Sequence, residues 1–178
     1  EATLEFPVAR KFWPCCSYSH RVIACSRVLA PQIKADETID RIIIRMPEPF
    51  HRVSGFLAPS TSNEARFSAV YCTVTGLLTG QVEPADFTET RFLDPERQRL
   101  CALVELDLYP LPLVPPDQLM ALTPEKVRVR LNSGRWIEHE TSMTPGGDEQ
   151  PMTDDDVLAK LNACGGRLEV GQIGRAHV

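Results

Sequence analysis

The sequence predicts an α+β domain, an antiparallel β-sheet with helices packed on one face. Three observations lead there. Apolar residues recur at helical spacing in some stretches and alternate in others, residues 127–140 read as a hairpin, and the strands are not separated by regular long crossover helices. With 178 residues, 43% hydrophobic and 24% charged, the chain carries enough apolar material for one globular core.

Residues 1–16 are expected to be extended, and Pro14 turns Trp13 away from helical geometry. From Ser17 to Leu29, Val22, Ile23, Val28 and Leu29 recur near the helical period until Pro31 stops them. Ile39 to Met46 alternates as a half-buried strand does, with Ile42, Ile44 and Met46 inward and a basic outer face of Arg41 and Arg45. Thr61 and Glu64 form a capping box ahead of one helix with Phe67, Val70, Tyr71, Val74 and Leu78 on a single stripe, ended by Gly80.

Pro84 and Pro95 mark two short helices, the second capped by Asp94. Leu100 to Leu108 reads as a strand whose inward set is Ala102, Val104, Leu106 and Leu108, and the prolines from Pro110 to Pro116 make a connector. Val127, Val129 and Leu131 lead into the turn Asn132-Ser133-Gly134, and Arg135 to Glu140 returns. Thr153 caps a last helix that opens with Asp154, Asp155 and Asp156, at the positive end of its dipole, and Gly165-Gly166 closes it.

A formal charge of -5 and no basic stripe interleaved with aromatics argue against a nucleic-acid partner. No window supplies the roughly 20 apolar residues of a membrane helix, and no signal peptide is evident, so a cytoplasmic location without membrane contact is expected. The six cysteines are irregularly spaced and are expected to be reduced. The first residue is Glu1 rather than methionine, which suggests a longer protein, and the run Ile173 to Val178 has the look of a translated adapter; residues 167–178 are therefore set apart from the domain at 1–166.

The densest polar cluster is Lys11-Phe12-Trp13-Pro14-Cys15-Cys16-Ser17-Tyr18-Ser19-His20, a loop entering a helix. Backbone N–H groups at such a place, with the Lys11 ammonium, suit a carboxylate. Spacing alone equally allows Lys11 to be solvated, Cys15 and Cys16 to be packed and His20 to sit on a helix surface. Adjacent cysteines with His20 make a poor zinc site, because a fourth ligand is lacking. In the second cluster, Asn63 to Tyr71, residue types alone allow Arg66 to be a surface ion-pair residue and Tyr71 a core residue with a locally satisfied hydroxyl. His51, His139 and His177 lack partners by spacing, and Gly146-Gly147 lacks the setting of a phosphate loop.

Lys11 to His20 resembles the MmgE/PrpD motif K-P-Y-P-C-C-x-x-T-H, matching at Lys11, Pro14, Cys15, Cys16 and His20. Asn63 to Tyr71 is similar to that family's E-A-[KR]-[FH]-S-x-x-Y, and Leu77-Leu78-Thr79-Gly80 to its L-L-x-G. Pro145 to Asp148, Pro151 to Asp154 and Lys160-Leu161 resemble its closing stretch, with Phe12, Trp13, Ser19 and Leu161 as departures. The resemblance implies a carboxy-terminal lid domain of an enzyme that works on small polycarboxylates without a metal or other cofactor. Dehydration, as in 2-methylcitrate dehydratase, decarboxylation and epimerisation all occur in the family.

Carried over by position, the resemblance makes Lys11, His20 and Tyr71 the catalytic residues: Lys11 binds a carboxylate or shuttles a proton, His20 orients or polarises the loop, and Tyr71 donates a hydrogen bond. Cys16, Ser17 and Arg66 become substrate contacts. It further implies an amino-terminal helical domain that completes the site, and a homodimer. The competing reading is a non-catalytic binding or regulatory module that retains the lid fold.

Overall fold

In the computed structural model, residues 10–119, 121–147 and 149–164 are described. The expected start of the chain, the glycine stop at Gly165-Gly166 and the tail from Ile173 lie outside them. The class is the one the sequence predicts, α+β. Four strands, β1 (Ile39–Pro47), β2 (Val104–Tyr109), β3 (Glu125–Leu131) and β4 (Trp136–Thr141), form one sheet in the order β2-β1-β3-β4.

The sheet is mixed rather than wholly antiparallel. β3 pairs antiparallel with both β1 and β4, whereas β1 and β2 run parallel, with Ile42 opposite Val104 and Ile44 opposite Leu106. A parallel pair needs a crossover. Here it is assembled from short helices, α2 (Glu48–Val53), α3 (Ser62–Arg66), α4 (Ala69–Thr79), α5 (Glu89–Phe92) and α6 (Pro95–Cys101), so no single long helix announces it. The second strand also starts later than its apolar pattern suggests, because Leu100 and Cys101 complete α6.

Alternation decides which face is dry. Ile42, Ile44 and Met46 on β1, Val127, Val129 and Leu131 on β3 and Ile137 on β4 are buried. Against β3 and β4 lies α1 (His20–Leu29), and α4 packs on α1. Gly76 permits that approach: a Cβ on it would sit 2.8 Å from the Ser26 Cβ. On the outer face three arginines are neutralised by carboxylates. Arg41 pairs with Glu105, Arg45 with Asp107, and Arg128 with Glu138, all solvent-exposed and hence worth little stability each.

The single helix expected from Thr61 to Leu78 is two. Ser68 takes an extended backbone, donates to the Phe56 carbonyl at 2.5 Å and accepts the Tyr71 N–H at 2.9 Å, so it caps a new helix instead of continuing the old one. Phe67 consequently leaves the buried stripe and is exposed, and at the far end of α4 Leu77 rather than Leu78 is the buried leucine. Thr61 caps α3 as expected, although Glu64 reaches the Ser60 N–H and hydroxyl rather than Thr61. Gly80 ends α4 at φ +70°, a left-handed turn that glycine adopts without strain.

A short helix, α7 (Pro116–Leu119), sits in the proline connector, and the last helix, α8 (Asp154–Ala163), carries the complete capping box of Thr153 and Asp156. Among the described residues no helix is long and apolar enough to cross a membrane. All six cysteines are free thiols.

Candidate active site

Residues 10–16 run over the surface and then dive. Lys11 and Ser17 are exposed, while Trp13, Cys15, Cys16 and His20 are buried. The aromatic half explains the dive: the Phe12 and Trp13 rings meet at a tilt with centroids 4.9 Å apart, Arg27 lies over both rings, and His20 meets Trp13 edge-on at 5.2 Å. After the loop, a 3-10 turn over Ser17–Ser19 feeds α1, which shortens the helix expected from Ser17.

The two polar clusters meet. The Cys16 N–H donates to the Arg66 carbonyl at 2.9 Å, pinning the loop to the end of α3. The Cys72 thiol on α4 donates to the Ala65 carbonyl at 3.7 Å, with the Cys15 thiol and His20 as its neighbours. The neighbouring Cys72 thiol, reinforced by the contact and charge of His20 and by the Lys11 charge, lowers the Cys15 thiol to about 6 against the opposing effect of burial. Cys72, beside Cys15 and wholly buried, is pushed well above its ordinary value. Burial likewise raises Cys16.

Tyr71 belongs to the core. Its side chain is 0% exposed and its hydroxyl donates to the Asp86 carbonyl at 2.5 Å, which leaves no proton free for a substrate. Burial raises its phenol to about 12. Asp86 is itself held by a buried ion pair with Arg97 at 3.1 Å, so tyrosine, aspartate and arginine form a strut under α4. Arg66 is half-buried: it donates to the Ser62 hydroxyl and lies 5.2 Å over the Phe87 ring.

Lys11 instead borders a hollow of about 360 Å³ between the loop and α8. Arg10, Lys11 and Lys160 line it together with Met152, Val157 and Leu161. The Lys160 ammonium donates to the Lys11 carbonyl, so the two lysines are neighbours although 149 residues apart. An anion with a compact carbon skeleton suits such a lining. A second hollow of about 200 Å³, on the other side of Lys160, mixes Arg27 with Glu83 and Asp156 and carries no such bias. Among the described residues, no group of three or more His, Cys, Asp or Glu is arranged to hold a metal ion.

Lys160 was visible in the sequence only as part of a motif, because nothing local links it to Lys11. Arg21 had a readable signal: it shares the i, i+4 stripe of Cys25 and Leu29, and all three are buried.

Residues 13–172 match the family model of the MmgE/PrpD C-terminal domain. The chain belongs to that family. No curated protein matches it. Members of the MmgE/PrpD family are generally lyases or isomerases. The matched span opens at Trp13, so Lys11 stands two residues ahead of it and rests on its own geometry.

Proposed function

We propose that this MmgE/PrpD C-terminal domain forms one wall of the active site of a cofactor-independent lyase or isomerase for small di- or tricarboxylates. Dehydration of a 2-methylcitrate-like substrate is the reaction we favour. The supporting observation is the cationic hollow at Lys11, where three positive side chains from two distant segments border an otherwise apolar space. Removing a proton next to a carboxylate builds negative charge, and a fixed ammonium stabilises that charge as it forms.

In this reading Lys11 contacts a substrate carboxylate or carries a proton, and Ser17, exposed on the same loop, is a further substrate contact. His20, 1% exposed and edge-on to Trp13, orients the loop from below without touching substrate. Cys16 and Arg66 act by fixing the loop through their shared backbone hydrogen bond. Tyr71 is given no substrate contact, because its hydroxyl is spent on Asp86. A helical domain of the same polypeptide supplies the opposing wall and further acid-base groups, and the complete enzyme works as a cytoplasmic homodimer.

The test is turnover of 2-methylcitrate, cis-aconitate and iminodisuccinate by the complete enzyme carrying Lys11→Ala. Turnover is expected to fall at least about 100-fold with the melting temperature unchanged. Activity within a few-fold of the unmodified enzyme would remove Lys11 from the site.

A further inference from the structure

The loop that carries Lys11 is closed into a ring by a segment far away in sequence. The Arg10 N–H donates to the Gly146 carbonyl at 2.9 Å. Gly146 has φ +86°, and a Cβ built on it would lie 1.9 Å from the Arg10 carbonyl oxygen and 3.1 Å from its carbon. No side chain fits there, so the turn presses directly on the peptide leading into Lys11. Its own shape is fixed by two backbone bonds, Gly146 N–H to the Gln150 carbonyl at 2.8 Å and Gly147 N–H to the Thr144 carbonyl at 2.9 Å.

The same turn is anchored in the core at its start. Arg21, 2% exposed, donates through Nε to the Thr144 hydroxyl at 2.9 Å and through Nη1 to the Thr123 carbonyl at 2.8 Å. Arg21 follows His20, the last residue of the motif. Both ends of the Lys11–His20 motif therefore reach the turn, one through Arg10 and Gly146, the other through Arg21 and Thr144. From the opposite side, Lys160 holds the Lys11 carbonyl.

We propose that the turn at Thr144–Gly147, with Arg21 beneath it, is the positioning device of Lys11: it sets where the ammonium enters the hollow. Gly146 and Arg21 are positioning residues, since neither needs to touch a substrate. The inference rests on the reading of Lys11 as the anion-holding cation, but the clamp is measurable without it. A loop cation held only by its own short segment would wander among rotamers, and fixing its backbone at two points removes part of that freedom before any ligand arrives.

Thr144→Ala and Thr144→Ser provide the test, with Gly146→Ala as a stronger variant. In the full chain, the amide exchange rate at Arg10 and the ε-carbon NMR signal of Lys11 are followed, with the signal of Lys34 as a control outside the clamp. In the complete enzyme, kcat and KM are measured. Thr144→Ala is expected to speed Arg10 exchange at least tenfold, to shift the Lys11 signal and not that of Lys34, and to lower kcat at least tenfold, while Thr144→Ser restores all three. Should Gly146→Ala fail to fold, the threonine pair still decides. Unchanged Arg10 exchange and an unchanged Lys11 signal in Thr144→Ala would overturn the clamp. Faster exchange with kcat unchanged would show a structural tie only and overturn positioning. Loss of kcat in Thr144→Ala alongside full activity in Lys11→Ala would locate the failure in the role given to Lys11, and would overturn its positioning as a functional device.

Discussion

The helices α4 and α8 both belong to segments that resemble family motifs, both begin with a hydroxyl cap, and they do opposite things. Every residue of α4 from Ala69 to Leu77 is buried, its tyrosine hydroxyl included, whereas α8 buries none of its residues. The helix in the core holds the shape; the helix at the rim carries Lys160 to the hollow. A motif match thus identifies residues under constraint without saying whether packing or chemistry constrains them, and burial separates the two.

Truncation should expose that contrast most. Tyr71→Ala is expected to cost roughly 3–5 kcal/mol by chemical denaturation, from lost ring burial and the abandoned Asp86 carbonyl, while Leu161→Ala on half-buried α8 should cost under about 1 kcal/mol. Similar losses at both sites would erase the distinction.

Next in size is a pH effect seated in the core. Glu125, 1% exposed, has its carboxyl raised from 4.5 to about 8 by burial, only partly offset by the Arg21 charge. Folding retains a proton that the unfolded chain releases, so the contribution is complete below pH 4.5 and is lost as pH rises to about 8. The slope can reach about 1.4 kcal/mol per pH unit. Cys15, lowered from 9.0 to about 6, works the other way: its contribution is present above 9 and is lost as pH falls to 6. Urea midpoints in Glu125→Gln should therefore stop falling between pH 4.5 and 6 and should rise from pH 6 to 9. An unaltered profile in that variant would mean that Glu125 is ionised in the fold.

Tyr71→Phe sharpens the same comparison with a smaller change. Removing the hydroxyl leaves the ring in place, so a loss of about 1–2 kcal/mol in stability is expected with turnover of the complete enzyme little altered. The reverse pattern, full stability with turnover gone, would return Tyr71 to the catalytic set. Thr153→Ala removes the cap of α8 and should lower stability by about 1 kcal/mol, readable as faster amide exchange in the first turn of that helix.

Much of this was legible in the residues. The alternation of β1, the 127–140 hairpin, the caps at Thr61, Asp94 and Thr153 and the stop at Gly80 depend on local patterns, and the structure has each of them. The inward set read for β2 does not hold, since Ala102 caps α6 and is exposed and Leu108 lies exposed on an edge strand. Two things were not legible because they are not local. The direction of β2 depends on how five short helices turn the chain, and the split at Ser68 depends on a hydrogen bond to Phe56. At the site, residue types allowed Tyr71 to be a satisfied core residue, and that is where it lies. The pairing of Lys11 with Lys160 and of Arg10 with Gly146 arises only when segments more than a hundred residues apart come together.

The lysines of the chain are Lys11, Lys34, Lys126 and Lys160, few enough to follow one by one. The most direct measurement is a titration of their ε-ammonium NMR signals with citrate as a tricarboxylate probe at low salt. Lys11 and Lys160 should move together along one saturable curve while Lys34 and Lys126 shift only with ionic strength. Four parallel, unsaturable responses would contradict a carboxylate site at Lys11.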